Sequence, residues 1–228
     1  MKVIISCEHG GNHIPANLLH IFKKNEAVLE THRGFDLGAL DLFQHLKPLA
    51  NASFFSEESR LLIELNRSLH HKNLFSEFSK SLSKVEKENL ILNYKTYRNS
   101  VESEIRKSIE NNELILHVSV HSFTPVFNSE KRNCDIGLLY DSRKTAEKEF
   151  CKRFKSEISA INSTINVRYN YPYLGKADGF TTYLRKQFSK NYIGIELEVN
   201  QQFSKNNKMN SSIKKLIYKS LESTIASI

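Results

Sequence analysis

"LILHVSVHSFTP", residues 114–125, alternates side chains in the manner of a β-strand. Strand neighbours point to opposite faces, so Val118 and Val120 share one face and His117, Ser119 and His121 share the other. Five further short apolar runs, bounded by polar turns, read as strands: Val3–Ser6, Leu61–Leu65, Ile136–Tyr140, Ile165–Tyr169 and Ile193–Val199. Between them apolar residues recur every three or four positions, as on a helix face. One such face is Leu90, Tyr94, Tyr97, Val101, Ile105 and Ile109; a second is Phe150, Phe154, Ile158 and Ile161; a third runs from Met209 through Ile213, Leu216 and Ile217 to Leu221. Strands alternating with helices predict an α/β fold, a layered domain around a mostly parallel sheet.

The bulk numbers agree with this. The 228 residues suit one large domain or two small ones, and the serine-rich stretch Ser76–Ser83 reads as a loop rather than a domain linker, so residues 1–228 are expected to form a single domain. Hydrophobic content of 39% and charged content of 25% exclude wholesale disorder. No apolar run is long enough for a membrane span, and Met1–Ile5 is too short for a signal peptide. Cys7, Cys134 and Cys151 show no paired spacing, which fits a reducing cytoplasm. The net charge of +8 raises the question of nucleic acid. Its lysines, however, are scattered along the helical segments with Glu nearby, which describes a solvated surface.

Polar residues follow the strands. "SCEHGGNHIP", residues 6–15, succeeds the first; "NRS" follows Leu65; "HSFTP" ends the run at 114–120. In open α/β sheets ligands bind at that carboxyl edge. The turn Ser6–Pro15 could be a metal site, a nucleophile or a phosphate loop. It lacks the Lys and Ser/Thr of a phosphate loop, and nothing supports Cys7 as a nucleophile rather than a buried apolar group. His9 and His121, with a carboxylate such as Asp36, would leave a zinc ion an open position for water; Asp36 could equally be an N-cap for the helix-like stretch after it. His117 reads as a core histidine. Gly10 and Gly11 would allow close approach of a ligand to the backbone. Arg60 and Arg67 bracket the run Leu61–Leu65, with Asn66 beside Arg67, in a pattern suited to carboxylates. Glu196 and Glu198 share one face of an apolar strand, where carboxylates are costly unless paired, metal-linked or catalytic.

Seven blocks in order resemble the N-formylglutamate amidohydrolase family: "SCEHGGNHIP", "THRGFDLGAL", "SRLLIELNRS", "HVSVHSFTP", "DIGLLYD", "NYPYLGKADGFTTYLR" and "YIGIELEVNQ". The resemblance implies a three-layer α/β/α sandwich with a mostly parallel mixed sheet, related to zinc carboxypeptidases and aspartoacylase-like deacylases. It implies a zinc-dependent hydrolase that removes the formyl group of an N-acylated acidic amino acid such as N-formyl-glutamate, a small-molecule partner. Carried over residue by residue, His9 and His121 match metal ligands and Arg60 the residue that steadies the oxyanion. Asn66 and Arg67 match the substrate-carboxylate pair; apart from the resemblance, Arg33 or Arg185 is expected to join them as a further carboxylate clamp. Glu196 matches the general base, whereas position along the strand favours Glu198. Asn12 stands where the wider clan has a glutamate ligand, and Asp36 is the substitute. The alternatives are a related metal-dependent deacylase of other acyl specificity and a non-catalytic basic binding protein on the same scaffold.

Overall fold

A computed structural model describes residues 1–228. Ten strands form: β1 (Lys2–Cys7), β2 (Ala52–Phe55), β3 (Ile115–Phe123), β4 (Val126–Phe127), β5 (Glu130–Lys131), β6 (Ile136–Leu139), β7 (Val167–Tyr169), β8 (Tyr192–Asn200), β9 (Ser204–Lys205) and β10 (Lys208–Met209). The helices are α1 (Ala39–Leu46), α2 (Lys84–Glu110), α3 (Thr145–Ile161), α4 (Phe180–Gln187) and α5 (Ser211–Ala226). Six strands make the central sheet in the order β2-β1-β3-β8-β6-β7, while β4–β5 and β9–β10 are small hairpins. Strands β2, β1, β3 and β8 run parallel, and β6 pairs antiparallel with β8, so the sheet is mostly parallel and mixed.

Strand alternation divides the chemistry. Val3, Ile5, Leu116, Val118, Val120, Ile193, Ile195, Leu197 and Val199 pack in one apolar cluster with α1, α3 and α5. The opposite face carries Ile4 and Ile115 against α2 and α4 through Val101, Ile105, Phe180 and Leu184. Toward the carboxyl ends that second face turns polar, with Ser6, Ser119, His121, Glu196 and Glu198 all buried. Register keeps these rows together: Ser119 lies beside Glu196 and His121 beside Glu198.

The run Leu61–Leu65 is a correction: it is buried but forms turns rather than a strand. Its apolar side chains join a cluster with Ile14, Phe22, Leu74, Leu82 and Leu90. The Glu64 carboxylate accepts a hydrogen bond from the Asn66 backbone N–H at 3.0 Å, a local contact that competes with a sheet ladder. The sixth strand of the sheet is instead β2, a half-exposed edge strand of four residues. Helix α2 begins where the loop Ser76–Ser83 ends, with a capping box between Ser83 and Glu86. No helix is long and apolar enough to cross a membrane.

Leu197 is fully buried in β8 on the apolar face, opposite in direction to its neighbours Glu196 and Glu198. Leu197→Ala is expected to destabilise the fold by about 2–5 kcal/mol, read as a lowered urea midpoint, while the metal affinity of the remaining folded protein is unchanged.

Candidate metal centre and substrate pocket

Two loops and β3 converge at the carboxyl edge of the sheet. His9 follows β1, Asp36 precedes α1, and His121 is near the end of β3. All three are buried, and one ligand atom from each lies within 4.8 Å of the others. His121 Nδ1 is 2.9 Å from Asp36 Oδ2. His9 Nδ1 is 3.4 Å from the same oxygen but makes no hydrogen bond.

The far nitrogen of each imidazole faces a carboxylate. His9 Nε2 bonds Glu64, and His121 Nε2 lies 3.2 Å from Glu8 Oε2 and 2.8 Å from Ser119 Oγ. Ser119 donates its own proton to Glu8, as does Tyr97 at 3.0 Å, so the Ser119 oxygen is an acceptor toward His121. In the neutral rings that a metal requires, a proton held on each Nε2 would leave the Nδ1 lone pairs facing Asp36; otherwise His121 Nδ1–H donates to Asp36. Such carboxylate–histidine pairs commonly fix the tautomer of metal ligands. An orphaned buried nitrogen, a second imidazole nitrogen and a carboxylate oxygen are a donor set that fits zinc.

The electrostatics follow the same contacts. Burial opposes charge on His121, but hydrogen bonds to Asp36 and Glu8 overcome it and raise its pKa well above the usual value. For His9, burial and Arg60 pull downward, and Glu64 and Asp36 prevail, so it too is raised. Burial would raise Asp36; His9, His121 and Arg60 hold it well below its usual range. His117 behaves differently. Burial lowers it to about 4, and its ring is saturated by Ser6 and Tyr192, both at 2.8 Å.

A pocket of about 270 Å³ opens on this cluster, lined among others by Arg67, Ser122, Tyr173, Leu174, Glu196 and Glu198. Arg60 lines it too, but its guanidinium is paired with Glu64 and with Asp36 Oδ1 at 2.9 Å. Asn66 accepts from the Phe180 backbone at 2.6 Å and approaches His121 Nε2 at 3.4 Å. Arg67 forms hydrogen bonds to the carbonyls of Asp178 and Asn66 and no ion pair. Glu196 accepts from Thr181 at 2.5 Å. Glu198 Oε2 is buried with no partner, and burial, with help from Asp36 and Glu196 against His121, pushes its carboxyl up to about 7.

Several expectations need correcting. Arg33 is half-exposed, pairs with Glu77 and lies outside the pocket. Arg185 is buried behind the sheet edge, 2.8 Å from Glu147, and donates to the Gly175 and Gly194 carbonyls. Asn12 faces away, donating to Leu29 O and Glu30. Asp36 caps no helix with its side chain; Gly38 holds the cap position of α1. Gly10 and Gly11 make room for backbone rather than ligand: a Cβ would stand 2.9 Å from Ser56 O or 2.5 Å from Glu57 O. Glu8 and Glu64 escape a reading of the sequence. A carboxylate beside a candidate ligand, and one inside an apolar run, are the signals that point to them.

A sequence model of the N-formylglutamate amidohydrolase family matches residues 1–204. The chain belongs to this family. Membership brings an amidohydrolase type of function. No curated protein matches the sequence. Among solved structures the chain is similar to a gene product, Atu2144, of Agrobacterium tumefaciens, at 20% identity and a TM-score of 0.82 over 99% of this chain and 91% of that one. At that identity the likeness concerns the fold, and it agrees with the three-layer α/β/α arrangement.

His9→Ala or His121→Ala is expected to abolish stoichiometric metal binding in the folded protein. Glu64→Gln should weaken metal affinity by about 10–100-fold, and Asn12→Ala should leave it unaltered. Chelator competition followed by elemental analysis reads all four; full zinc retention in His9→Ala would remove the ligand assignment.

Proposed function

We propose that the protein is a zinc-dependent deformylase that cleaves the formamide of an N-formylated acidic amino acid, such as N-formyl-glutamate, to formate and the free amine. One observation carries it. The unpartnered His9 Nδ1 converges with His121 Nδ1 and Asp36 Oδ2 in the same pocket as the unpartnered carboxylate of Glu198. His9, Asp36 and His121 would hold the ion. A divalent metal there supplies Lewis acidity toward the formyl oxygen and acidifies water.

The chain's residues supply the remainder. Glu198 is the base: it takes a proton from the attacking water and delivers it to the amine nitrogen as the C–N bond breaks. This departs from the resemblance, which favours Glu196. Supporting it are the free Glu198 oxygen, its pKa near the working range and its place beside His121, against the Thr181 bond that engages Glu196. Arg67, without a carboxylate partner, clamps the α-carboxylate and orients the scissile bond. Arg60 keeps Asp36 and Glu64 ionised and, from the pocket wall, would add positive potential where the oxyanion develops. Substrate is a small acylated amino acid, with neither nucleic acid nor membrane involved.

The test is formate release from N-formyl-glutamate by zinc-loaded protein; metal uptake without formate from any N-formyl amino acid would remove the proposal. Glu198→Gln should retain zinc and lower kcat by about 10²–10⁴-fold, and Glu196→Gln should lose less. The reverse ranking would move the base to Glu196. The same variant carries a stability signature. The Glu198 pKa is raised in the folded state, so its ionisation disfavours folding once pH rises above the ordinary carboxylate range. Metal-free Glu198→Gln should therefore melt higher than the metal-free parent at pH 8 and lose that advantage near pH 4. Arg67→Ala should raise KM with zinc content unchanged, and lysine should restore it only in part.

A further inference from the structure

A dicarboxylate substrate needs two cations, and the pocket wall is otherwise acidic, with Asp36, Asp178, Glu196 and Glu198. Arg33 is paired with Glu77, Arg60 with Asp36 and Glu64, and Arg185 with Glu147. Only Arg67 remains, and it can hold one carboxylate. A second guanidinium without a carboxylate partner stands over Tyr173, a residue of the pocket wall. Arg132 directly follows β5 and forms no ion pair; its Nη1 donates to Thr124 Oγ1 at 3.1 Å and Thr124 O at 3.4 Å. Its Cζ sits 4.7 Å from the Phe127 ring centre, 5.2 Å from Tyr173 and 5.8 Å from Phe123.

This aromatic cradle fixes the guanidinium without neutralising it. Cation–π attraction holds the charge in place, and the planar fork remains a donor for a carboxylate. Two of the contacts point to the pocket. Tyr173 lines it, and Thr124 is two residues beyond Ser122, which also lines it. The backbone N–H of Arg132 further ties this strand end to Pro125 O at 2.8 Å.

We infer that Arg132 is a specificity-determining residue that receives the side-chain carboxylate of the substrate while Arg67 takes the α-carboxylate. This rests on the proposed deformylase activity. A substrate of equal size without the second charge would keep the Arg67 contact and lose the Arg132 one, since long side-chain amides do not satisfy a guanidinium as a carboxylate does.

The experiment compares formate release from N-formyl-L-glutamate and N-formyl-L-glutamine by the zinc-loaded wild type, Arg132→Met and Arg132→Lys. Methionine retains a flexible apolar stem against the aromatic rings. The wild type should prefer glutamate in kcat/KM by about tenfold or more, which is about 1.4 kcal/mol. Arg132→Met should bring that ratio close to unity, mainly through KM for glutamate, and Arg132→Lys should restore part of it. Thermal midpoints and zinc content confirm that the variants are folded and loaded. A wild type with no preference, or an Arg132→Met that keeps the full preference, overturns the clamp while the deformylase activity stands. Absence of formate from both substrates overturns the activity itself, and the clamp with it.

Discussion

Glu8 and Glu64 each hold the Nε2 side of one histidine, and the centre depends on that constraint. Without it, either ring could present either nitrogen. With it, both Nδ1 atoms turn to one point beside Asp36. Both carboxylates are anchored from behind, Glu8 by Ser119 and Tyr97, Glu64 by Arg60 and the Asn66 backbone. The rigidity of the pair therefore reaches back to β3, to α2 and to the turns after Ser59. A donor set that could hold a metal, assembled on segments distant in sequence, is kept to a narrow geometry by elements already packed in the core.

The sheet makes this possible because it is buried on both faces. Helices α1, α3 and α5 bury one face chiefly by apolar contact, with Glu147 of α3 also accepting from the Gly194 N–H of β8. On the other, α2 and α4 cover the amino-terminal half and leave the carboxyl ends of β1, β3 and β8 for polar side chains. Parallel strands bring those ends to the same edge, which is where α/β sheets bind ligands. Arg60 then links the loop carrying Asp36 to the turn carrying Glu64, so the same guanidinium that lines the pocket also offsets two buried carboxylates.

Much of this is legible in the sequence where periodicity is strong. The alternation in residues 114–123 is enough to assign the two faces of β3, and His9, Asp36 and His121 meet as their chemistry implies. The family blocks extend this to the three-layer fold. What fails is local. Leu61–Leu65 has the apolar density of a buried strand, but hydropathy does not separate a buried turn from a buried strand, and Glu64 folds inward to His9. The edge strand β2 gives no such signal because "ASFF" is short and half-exposed. Arg33 and Arg185 read as clamps because sequence shows a cation without its counter-ion; Glu77 and Glu147 lie 44 and 38 residues away. Glu8 adjoins His9 but serves His121, a pairing that only the register of β1 with β3 creates.

Buried carboxylates elsewhere in the chain show what makes Glu198 different. Glu147 is met by Arg185 and the Gly194 backbone N–H, and Glu196 by Thr181. Each is satisfied at the point of burial, as desolvated charges must be if the fold is to tolerate them. Glu198 has the same burial and no such partner on Oε2, and its acidic neighbours Asp36 and Glu196 aggravate the cost. Nothing in the packing compels a carboxylate there, since Leu197 and Val199 supply the apolar contacts of that strand segment from the other face. Local strain of this kind persists where a site requires it. A carboxyl held near neutrality beside a convergent set of metal donors has the property a proton-transferring group needs, so the least stable carboxylate of the pocket is also its best candidate for chemistry.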